Sequence, residues 1–146
     1  MCDCPNESLN LSKPLPIVLV SAAALIDPDG RILIAQRPAD KKMPGLWEFP
    51  GGKVQDGELP EVALTRELQE ELALEICPSC FTPFAFASHS YDDFHLLMPL
   101  YISRKWKGVP RPQEGQTVKW VRPPELRNYP MPPADTPLIS QLQDFL

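Results

Sequence analysis

The amino-acid sequence predicts one α/β domain in which helices cover both sides of a sheet. Strand-like and helix-like segments are mixed along the 146 residues, an order typical of a sheet packed between helices. This length is about that of a single domain and suffices to bury a sizeable core. Residues 1–15 are mostly polar and contain two prolines, so we expect a flexible leader followed by the domain at residues 16–146.

Six segments are predicted to be strands, because apolar residues run continuously or alternate with polar ones between turn residues. Two pairs of these segments flank short turns, Asp27-Pro-Asp-Gly30 and Asp92-Asp93, and each pair indicates a hairpin. The predicted strands lie at residues 17–26, 31–36, 46–49, 81–91, 94–104 and 117–121.

Helices are predicted in three places. The clearest has Leu64, Leu68 and Leu72 in a stripe at positions i, i+4 and i+8, which predicts a packed face. Pro60 and Pro137 suit the first helical position of their segments. The predicted helices lie at residues 60–72, 123–129, where a turn is the alternative, and 136–146.

Three carboxylates lie beside the leucine stripe of the first helix. Glu67, Glu70 and Glu71 fall within an arc of roughly 100° at about 100° per residue. Carboxylates this close repel one another without a cation, and Mg²⁺ is bound through oxygen, usually by a few carboxylates and substrate phosphates. The preceding Gly51 and Gly52 let the backbone approach a ligand. A solvated acidic face is the alternative, but the packed stripe favours a metal site for a phosphorylated substrate.

The residues around this helix resemble the signature of the Nudix hydrolases. Gly52 is followed after five residues by Glu58, and after seven more by Arg66-Glu67-Leu68-Gln69-Glu70-Glu71, which fills every charged position of that motif. The similarity extends to residues 33–53, to Glu114-Gly115-Gln116 and to residues 129–135, where it is to the MutT-like branch that sanitises the nucleotide pool.

One position of the motif departs from the family. Ala73 stands where a glycine is expected, at the C-terminal end of the helix. That glycine has the character of a residue with positive φ, so we expect Ala73 to cost about 1 kcal/mol or to lengthen the helix slightly.

The resemblance implies a fold and a reaction. The fold is the Nudix α/β/α sandwich with a mixed central sheet. The reaction is attack of water on phosphorus of a nucleoside triphosphate, which releases a nucleoside monophosphate and pyrophosphate with Mg²⁺, or Mn²⁺ as the alternative ion. For this branch, the implied substrate is 8-oxo-dGTP, whose removal avoids mutation during DNA replication.

The resemblance also implies the roles of residues at the reaction centre. Arg66 is expected to orient Glu67, with a simple surface ion pair as the alternative, and Glu58 is expected to support the loop. Both Glu67 and the loop residue Glu114 are candidates for the general base. The implied metal ligands are the carboxylates of Glu67, Glu70, Glu71 and Glu114 and the backbone carbonyl of Gly51.

Further residues are candidates for substrate binding. Arg37 and Lys53 are placed to contact phosphate, although either could be a surface charge. The base pocket is predicted to have aromatic and aliphatic walls, although each of these residues could equally belong to the core. They are Trp47, Phe49 and Leu100.

Asp135 is the candidate for base recognition. Readers of 8-oxoguanine in this branch commonly have Asn there, whose amide both donates and accepts, whereas an ionised Asp only accepts. The ionised form suits the donor edge of guanine or the amine of cytosine, and a protonated Asp135 could mimic the amide if burial raised its pKa. The alternative is that Asp135 caps the last helix, a position for which Thr136 is better suited.

Two other functions remain open. Asp135 also permits hydrolysis of a modified cytidine triphosphate, such as a 5-methyl or 5-hydroxy nucleotide. A non-catalytic base-recognition module is the alternative from another class of protein, but such modules usually lose the acidic residues that are all present here.

Composition limits the partners. A net charge of −5 argues against a broad nucleic-acid-binding surface. The longest apolar run, residues 16–26, has 11 residues where a membrane span needs about 20. We therefore expect a cytoplasmic monomer or small homo-oligomer that binds neither nucleic acid nor membrane. The pairs Cys2/Cys4 and Cys77/Cys80 are expected to be free thiols, with a zinc site as the alternative.

Overall fold

The computed structural model describes residues 14–146 of the chain. Most of the predicted leader, together with Cys2 and Cys4, therefore lies outside the described residues. The strands are β1 (Ile17–Leu25), β2 (Ile32–Gln36), β3 (Trp47–Glu48), β4 (Gly51–Lys53), β5 (Thr82–Ser90), β6 (His95–Ser103) and β7 (Thr117–Val121). The helices are α1 (Pro60–Leu72), α2 (Thr136–Phe145) and two 3₁₀ helices, Pro78–Cys80 and Pro123–Asn128.

The strands form two sheets. The larger has the order β4-β1-β6-β5, and the smaller has the order β3-β2-β7. Strands β1 and β6 are parallel, while every other pair is antiparallel, so the larger sheet is mixed as predicted. The predicted hairpin of residues 81–104 is confirmed, since β5 and β6 pair from Thr82 and Ile102 to Ser90 and His95, with one irregularity between Pro83 and Ala85.

The other predicted hairpin, residues 17–36, is wrong. Its turn forms, but β1 and β2 enter different sheets and are joined only by the bridge between Ile26 and Ile32. Both edges of β1 are already paired, one with β4 and the other with β6. No edge of β1 is therefore left for β2, which pairs with β3 and β7 instead.

Helices cover both sides of the larger sheet, as the sequence predicts. The leucine stripe of α1 packs against Ala23 and Leu25 of β1. Helix α2 packs on the opposite face, where Leu138 and Leu142 contact a cluster that includes Ala22 and Ala24. Alternate side chains of β1 thus contribute to two separate cores, because successive residues of a strand point to opposite faces.

Two details of local structure differ from the sequence predictions, and a third agrees with them. The short strand β4 was not predicted, since glycine has little intrinsic preference for strands, yet Gly51–Lys53 pairs with β1. Helix α2 begins at Thr136, so Pro137 is its second residue rather than its first. The short helix or turn predicted at residues 123–129 is confirmed, as the 3₁₀ helix Pro123–Asn128.

None of the helices in residues 14–146 has the length and apolar character that crossing a membrane requires. Cys77 and Cys80 are both free thiols, the first exposed and the second half-buried.

Helix α1 ends at Ala73 in the left-handed conformation that the motif predicts. Ala73 has φ 56° and ψ 33°, and its N–H donates to the carbonyl of Gln69 at 3.1 Å. The side chain of an L-residue is crowded in this conformation, which glycine adopts freely.

We therefore expect Ala73→Gly to raise the free energy of unfolding by about 1 kcal/mol, because the residue at this position already has a positive φ. Urea denaturation of the variant and the parent protein measures the change. Ala39→Gly is the matched control, since Ala39 is exposed and has no positive φ, and it should be neutral or destabilising. A loss of stability in Ala73→Gly would contradict the expectation.

Candidate active site

Two glycines bring the backbone before α1 against both the sheet and the helix. A Cβ atom on Gly51 would lie 1.9 Å from the carbonyl oxygen of Ser21 in β1. A Cβ atom on Gly52 would lie 2.3 Å from the carboxyl carbon of Glu67 in α1. Only glycine fits at either place, so the backbone here runs directly beside the Glu67 carboxylate.

Arg66 connects this loop to the acidic face of α1. Its Nε and Nη2 atoms each donate to one oxygen of Glu58, both at 2.9 Å, which is a bidentate pair. Its Nη1 atom donates to Glu67 at 2.9 Å, and Nη2 also donates to the carbonyl of Lys53 at 3.1 Å. The predicted roles of Arg66 in orienting Glu67 and of Glu58 in supporting the loop agree with these contacts.

The same contacts determine the charge on Glu58. Hydrogen bonds from Arg66 and from the backbone N–H of Gln55 hold the pKa of Glu58 at about 2. Glu58 therefore stays ionised at any pH near neutrality, and its charge is matched by Arg66 rather than left for a cation.

Glu71 is the centre of an acidic cluster. Burial, followed by the nearby charges of Glu67, Glu114 and Glu48, raises the pKa of Glu71 to about 8. Contact with the Glu67 side chain adds a smaller effect in the same direction. The structure thus brings three carboxylates from separate segments around one residue of α1, a concentration of negative charge that a cation would relieve.

The donor set fits a hard divalent cation in its chemistry. All the candidate ligands offer oxygen, which Mg²⁺ and similar ions prefer. Within residues 14–146, however, no three acidic, histidine or cysteine side chains already converge as closely as metal ligands do. Glu70 accounts for part of this difference, since its carboxylate is exposed and lies 3.6 Å from the guanidinium of Arg66.

The loop that carries Glu114 is attached to the last turn of α1. The carbonyl oxygen of Glu71 accepts hydrogen bonds from the backbone N–H of Gln113 at 2.9 Å and from the side chain of Gln116 at 3.1 Å. Gln116 in turn accepts the N–H of Glu114 at 2.8 Å. These bonds place Glu114 beside Glu71, although the two residues are 43 positions apart in the sequence.

Glu48 belongs to the candidate site but was not predicted from the sequence. Arg37 donates to it through Nε at 2.9 Å, and Arg37 Nη2 lies 2.8 Å from the same oxygen. Burial raises the pKa of Glu48 and Arg37 opposes that rise. Its signal in the sequence was a single charge within the short apolar strand segment at residues 46–49, which is too weak to assign a role.

Arg37 also lines a groove of about 430 Å³ between its own loop and the loop that follows Glu114. Gly115 and Thr117 form the opposite side of this groove. Arg37 is therefore a positioned cation at an opening next to the acidic cluster. Lys53 lies in β4 with an exposed side chain, and its backbone carbonyl accepts one of the bonds from Arg66.

Asp135 is buried on the other side of Glu48. Its exposed fraction is 4%. Burial, and after it the charge of Glu48, raises the pKa of Asp135 to about 7. The charge of Arg37 and a hydrogen bond from the N–H of Phe49 act in the opposite direction. Asp135 occupies the N-cap position of α2, but its side chain makes no capping hydrogen bond. The capping alternative is thus not supported, and Thr136 is the first helical residue rather than the cap.

The three predicted walls of the base pocket have different environments. Trp47 is half-buried and packs edge-on against Tyr129, with ring centroids 5.2 Å apart. Phe49 is 3% exposed, and Leu100 is fully buried between the sheet and α2. The core alternative therefore describes Leu100, because a side chain without exposed surface offers none to a base. Tyr91, which was not predicted, lies close enough to Asp135 for the Asp135 charge to raise the tyrosine pKa, after the larger effect of burial.

Comparison with known proteins places this geometry in a family. A family model described as the NUDIX domain matches residues 21–141. The 8-oxo-dGTP diphosphatase of Escherichia coli is 35% identical over 124 residues, which cover 85% of this chain and 95% of that protein. The CTP pyrophosphohydrolase of Escherichia coli is 40% identical over 120 residues, covering 81% of this chain and 86% of that protein.

A solved structure supports the same placement. It comes from work on MutT of Aliivibrio salmonicida and Vibrio cholerae, and it superimposes with a TM-score of 0.76 at 32% identity. The superposition covers 89% of this chain and 99% of that one. The predicted resemblance and the Nudix α/β/α fold are thereby confirmed, and the chain belongs to the Nudix hydrolase family, whose members use divalent metal cations.

Proposed function

We propose that this protein uses Mg²⁺ to hydrolyse a nucleoside triphosphate to the monophosphate and pyrophosphate, with 8-oxo-dGTP as its main substrate. The observation that carries the proposal is the acidic cluster around Glu71, which lies next to a groove lined by Arg37. The similarity to 8-oxo-dGTP diphosphatases supports the choice of nucleotide.

The proposed metal ligands are those that the motif implies. Bound there, Mg²⁺ would neutralise charge on the phosphates and lower the pKa of a water molecule. The acidic cluster would hold the ion, and Arg66 would keep one Glu67 oxygen fixed, so that the other is left for a ligand or a water proton. Glu67 and Glu114 both stay candidates for the general base. The proposed ligands are Glu67, Glu70, Glu71, Glu114 and the carbonyl of Gly51.

The protein's own cations would act on the phosphates. Arg37 is held at the groove by Glu48 and by the carbonyl of Lys42, so its position is set before substrate binds. Such a fixed guanidinium can orient a phosphate through paired hydrogen bonds. The exposed Lys53 would offer a second, more mobile positive charge.

A second candidate substrate is a modified cytidine triphosphate. The observation in its favour is the buried carboxyl of Asp135, because an ionised Asp accepts the exocyclic amine of cytosine but cannot donate. The similarity to a CTP pyrophosphohydrolase supports this candidate as well. A pKa of about 7 would make the protonation of Asp135, and with it the choice of base, depend on pH near neutrality.

Glu71→Gln tests the reaction. We expect it to reduce Mg²⁺-dependent release of pyrophosphate from 8-oxo-dGTP by at least about 100-fold, because the amide cannot replace a carboxylate at the metal. The exposed Glu75→Gln is the matched control and should retain activity. Turnover at the parental rate in Glu71→Gln would refute the metal role.

The same variant should fold normally and be at least as stable as the parent at pH 8 in EDTA. A raised pKa means that the native Glu71 binds more protons than the unfolded one between about pH 4.5 and 8, so its contribution to stability falls as the pH rises through that range. Glutamine removes this effect, and urea denaturation at several pH values measures it.

Asp135 predicts a pH-dependent choice of substrate. Below a pKa of about 7 the protonated carboxyl both donates and accepts, as an amide does, whereas above it the ionised group only accepts. We expect the ratio of kcat/KM for 8-oxo-dGTP to that for CTP to fall by about 10-fold between pH 6 and pH 8. Adding dGTP and 5-methyl-dCTP to the substrate panel shows whether the protein selects for the oxidised form of guanine or only for guanine over cytosine.

Two variants sharpen this test. Asp135→Asn should make the ratio independent of pH and favour 8-oxo-dGTP, since an amide does not titrate. Asp144→Asn, an exposed position on α2, should leave the parental pH dependence unchanged. A flat ratio in the parent protein would contradict base reading by Asp135, and equal kcat/KM for 8-oxo-dGTP and dGTP would overturn the choice of oxidised guanine.

A further inference from the structure

A second groove lies at the other end of the larger sheet from the acidic cluster. Its volume is about 740 Å³, within the range of ligand-binding clefts. It opens where three strands end, with Ile26 just beyond β1, Arg104 just beyond β6 and Arg122 just beyond β7. The 3₁₀ helix Pro123–Asn128 and the last turns of α2 complete its walls.

This groove is separate from the candidate active site, as two lengths along the backbone show. Ile26 lies four residues beyond Ala22, the partner of Gly51, which is about 13 Å along a strand. Gln143 lies eight residues beyond Asp135, which is about 12 Å along a helix. No residue lines both this groove and the groove that contains Arg37.

The groove concentrates uncompensated positive charge in an acidic protein. Three guanidinium groups line it, and within the described residues none of them has a carboxylate oxygen of Asp or Glu within 4 Å. Asp29 also lines the groove and contributes one negative charge, since the nearby Arg31 pairs more closely with Asp27, at 2.8 Å, than with Asp29, at 3.4 Å. The three arginines still outnumber it. The three arginines are Arg104, Arg122 and Arg127.

Arg127 is held in place by neutral groups alone. Its Nε atom donates to the side-chain oxygen of Gln143 at 3.0 Å, and its Nη2 atom donates to the hydroxyl of Ser140 at 2.9 Å. Gln143 is itself fixed by a bond from Nε2 to the carbonyl of Pro123 at 2.9 Å. These contacts position the guanidinium without cancelling its charge, as an anion-binding group requires.

We propose that this groove binds a phosphate-bearing small molecule of about nucleotide size, at a site separate from the active site. Planar guanidinium groups match phosphate oxygens through paired hydrogen bonds. The apolar wall formed by Pro123 and Pro124 would accept the uncharged part of such a ligand. A net charge of −5 makes non-specific attraction of anions to the remaining surface weak.

Titration of the metal-free protein tests the proposal. Inorganic pyrophosphate and dGMP are added in EDTA, where the acidic cluster repels anions, and binding is followed by calorimetry and by the amide NMR signals of Gly30 and Arg122. Both probes should bind, and the double variant Arg104→Ala/Arg122→Ala should weaken binding at least about 10-fold. Arg111→Ala is the matched control, since Arg111 is exposed on the loop between β6 and β7, and it should bind as the parent does.

The outcomes separate clearly. Tighter binding of dGMP than of pyrophosphate would mean that the base contacts the apolar wall. Equal binding would mean that only the phosphate is recognised. Either result supports the proposal. Three results would overturn it: no saturable binding below about 10 mM, an unchanged affinity in the double alanine variant, or signal changes confined to Gly51–Lys53 and Glu114. The lysine variant Arg104→Lys/Arg122→Lys, which keeps both charges, should bind more tightly than the double alanine variant.

Discussion

The backbone at Gly51 and Gly52 lies between β1 and α1 at distances that exclude any side chain. A Cβ on Gly51 would overlap the carbonyl of Ser21, and a Cβ on Gly52 would overlap the carboxyl group of Glu67. The hydroxyl of Ser21 also donates to the carbonyl of Pro60 at 2.8 Å, which fixes the start of α1 on the same strand. Because neither glycine has a side chain, the loop can lie in direct contact with the sheet and with the acidic face of α1. This close approach lets Arg66 reach both the loop and Glu67.

Local signals in the sequence were enough to predict the elements whose causes are local. Helix α1 begins and ends at the predicted residues, because Pro60 and the leucine stripe act within a few turns. The partners of β1 could not be predicted in this way. They depend on β4, whose glycines give no strand signal, and on β6, which lies more than 70 residues away in the sequence. A turn sequence alone cannot show that both edges of a strand are already occupied.

The residues of the candidate site also differ in whether local sequence was enough to predict them. The acids of α1 were found because positions three and four apart share a helix face. Glu48 was not found, because it lies near Glu71 only in the folded protein. The spacing of residues along the sequence does not reveal that β3 lies near the end of α1. Leu100 had the composition of a pocket wall, but only its position between the sheet and α2 showed that it is core. The αL residue at Ala73 was predictable because the helix motif itself demands that conformation.

Glu48 links the two ends of the candidate active site. Burial is the largest cause of the raised pKa of both Glu71 and Asp135, and the charge of Glu48 adds to the rise at each of them. Arg37 opposes this effect at Asp135 and pairs directly with Glu48. A cation bound near Glu71, as proposed, would therefore influence proton binding at Asp135, because the same carboxylate acts on both groups. Any group that changes the contact between Arg37 and Glu48 must change the proton affinity of Asp135 as well.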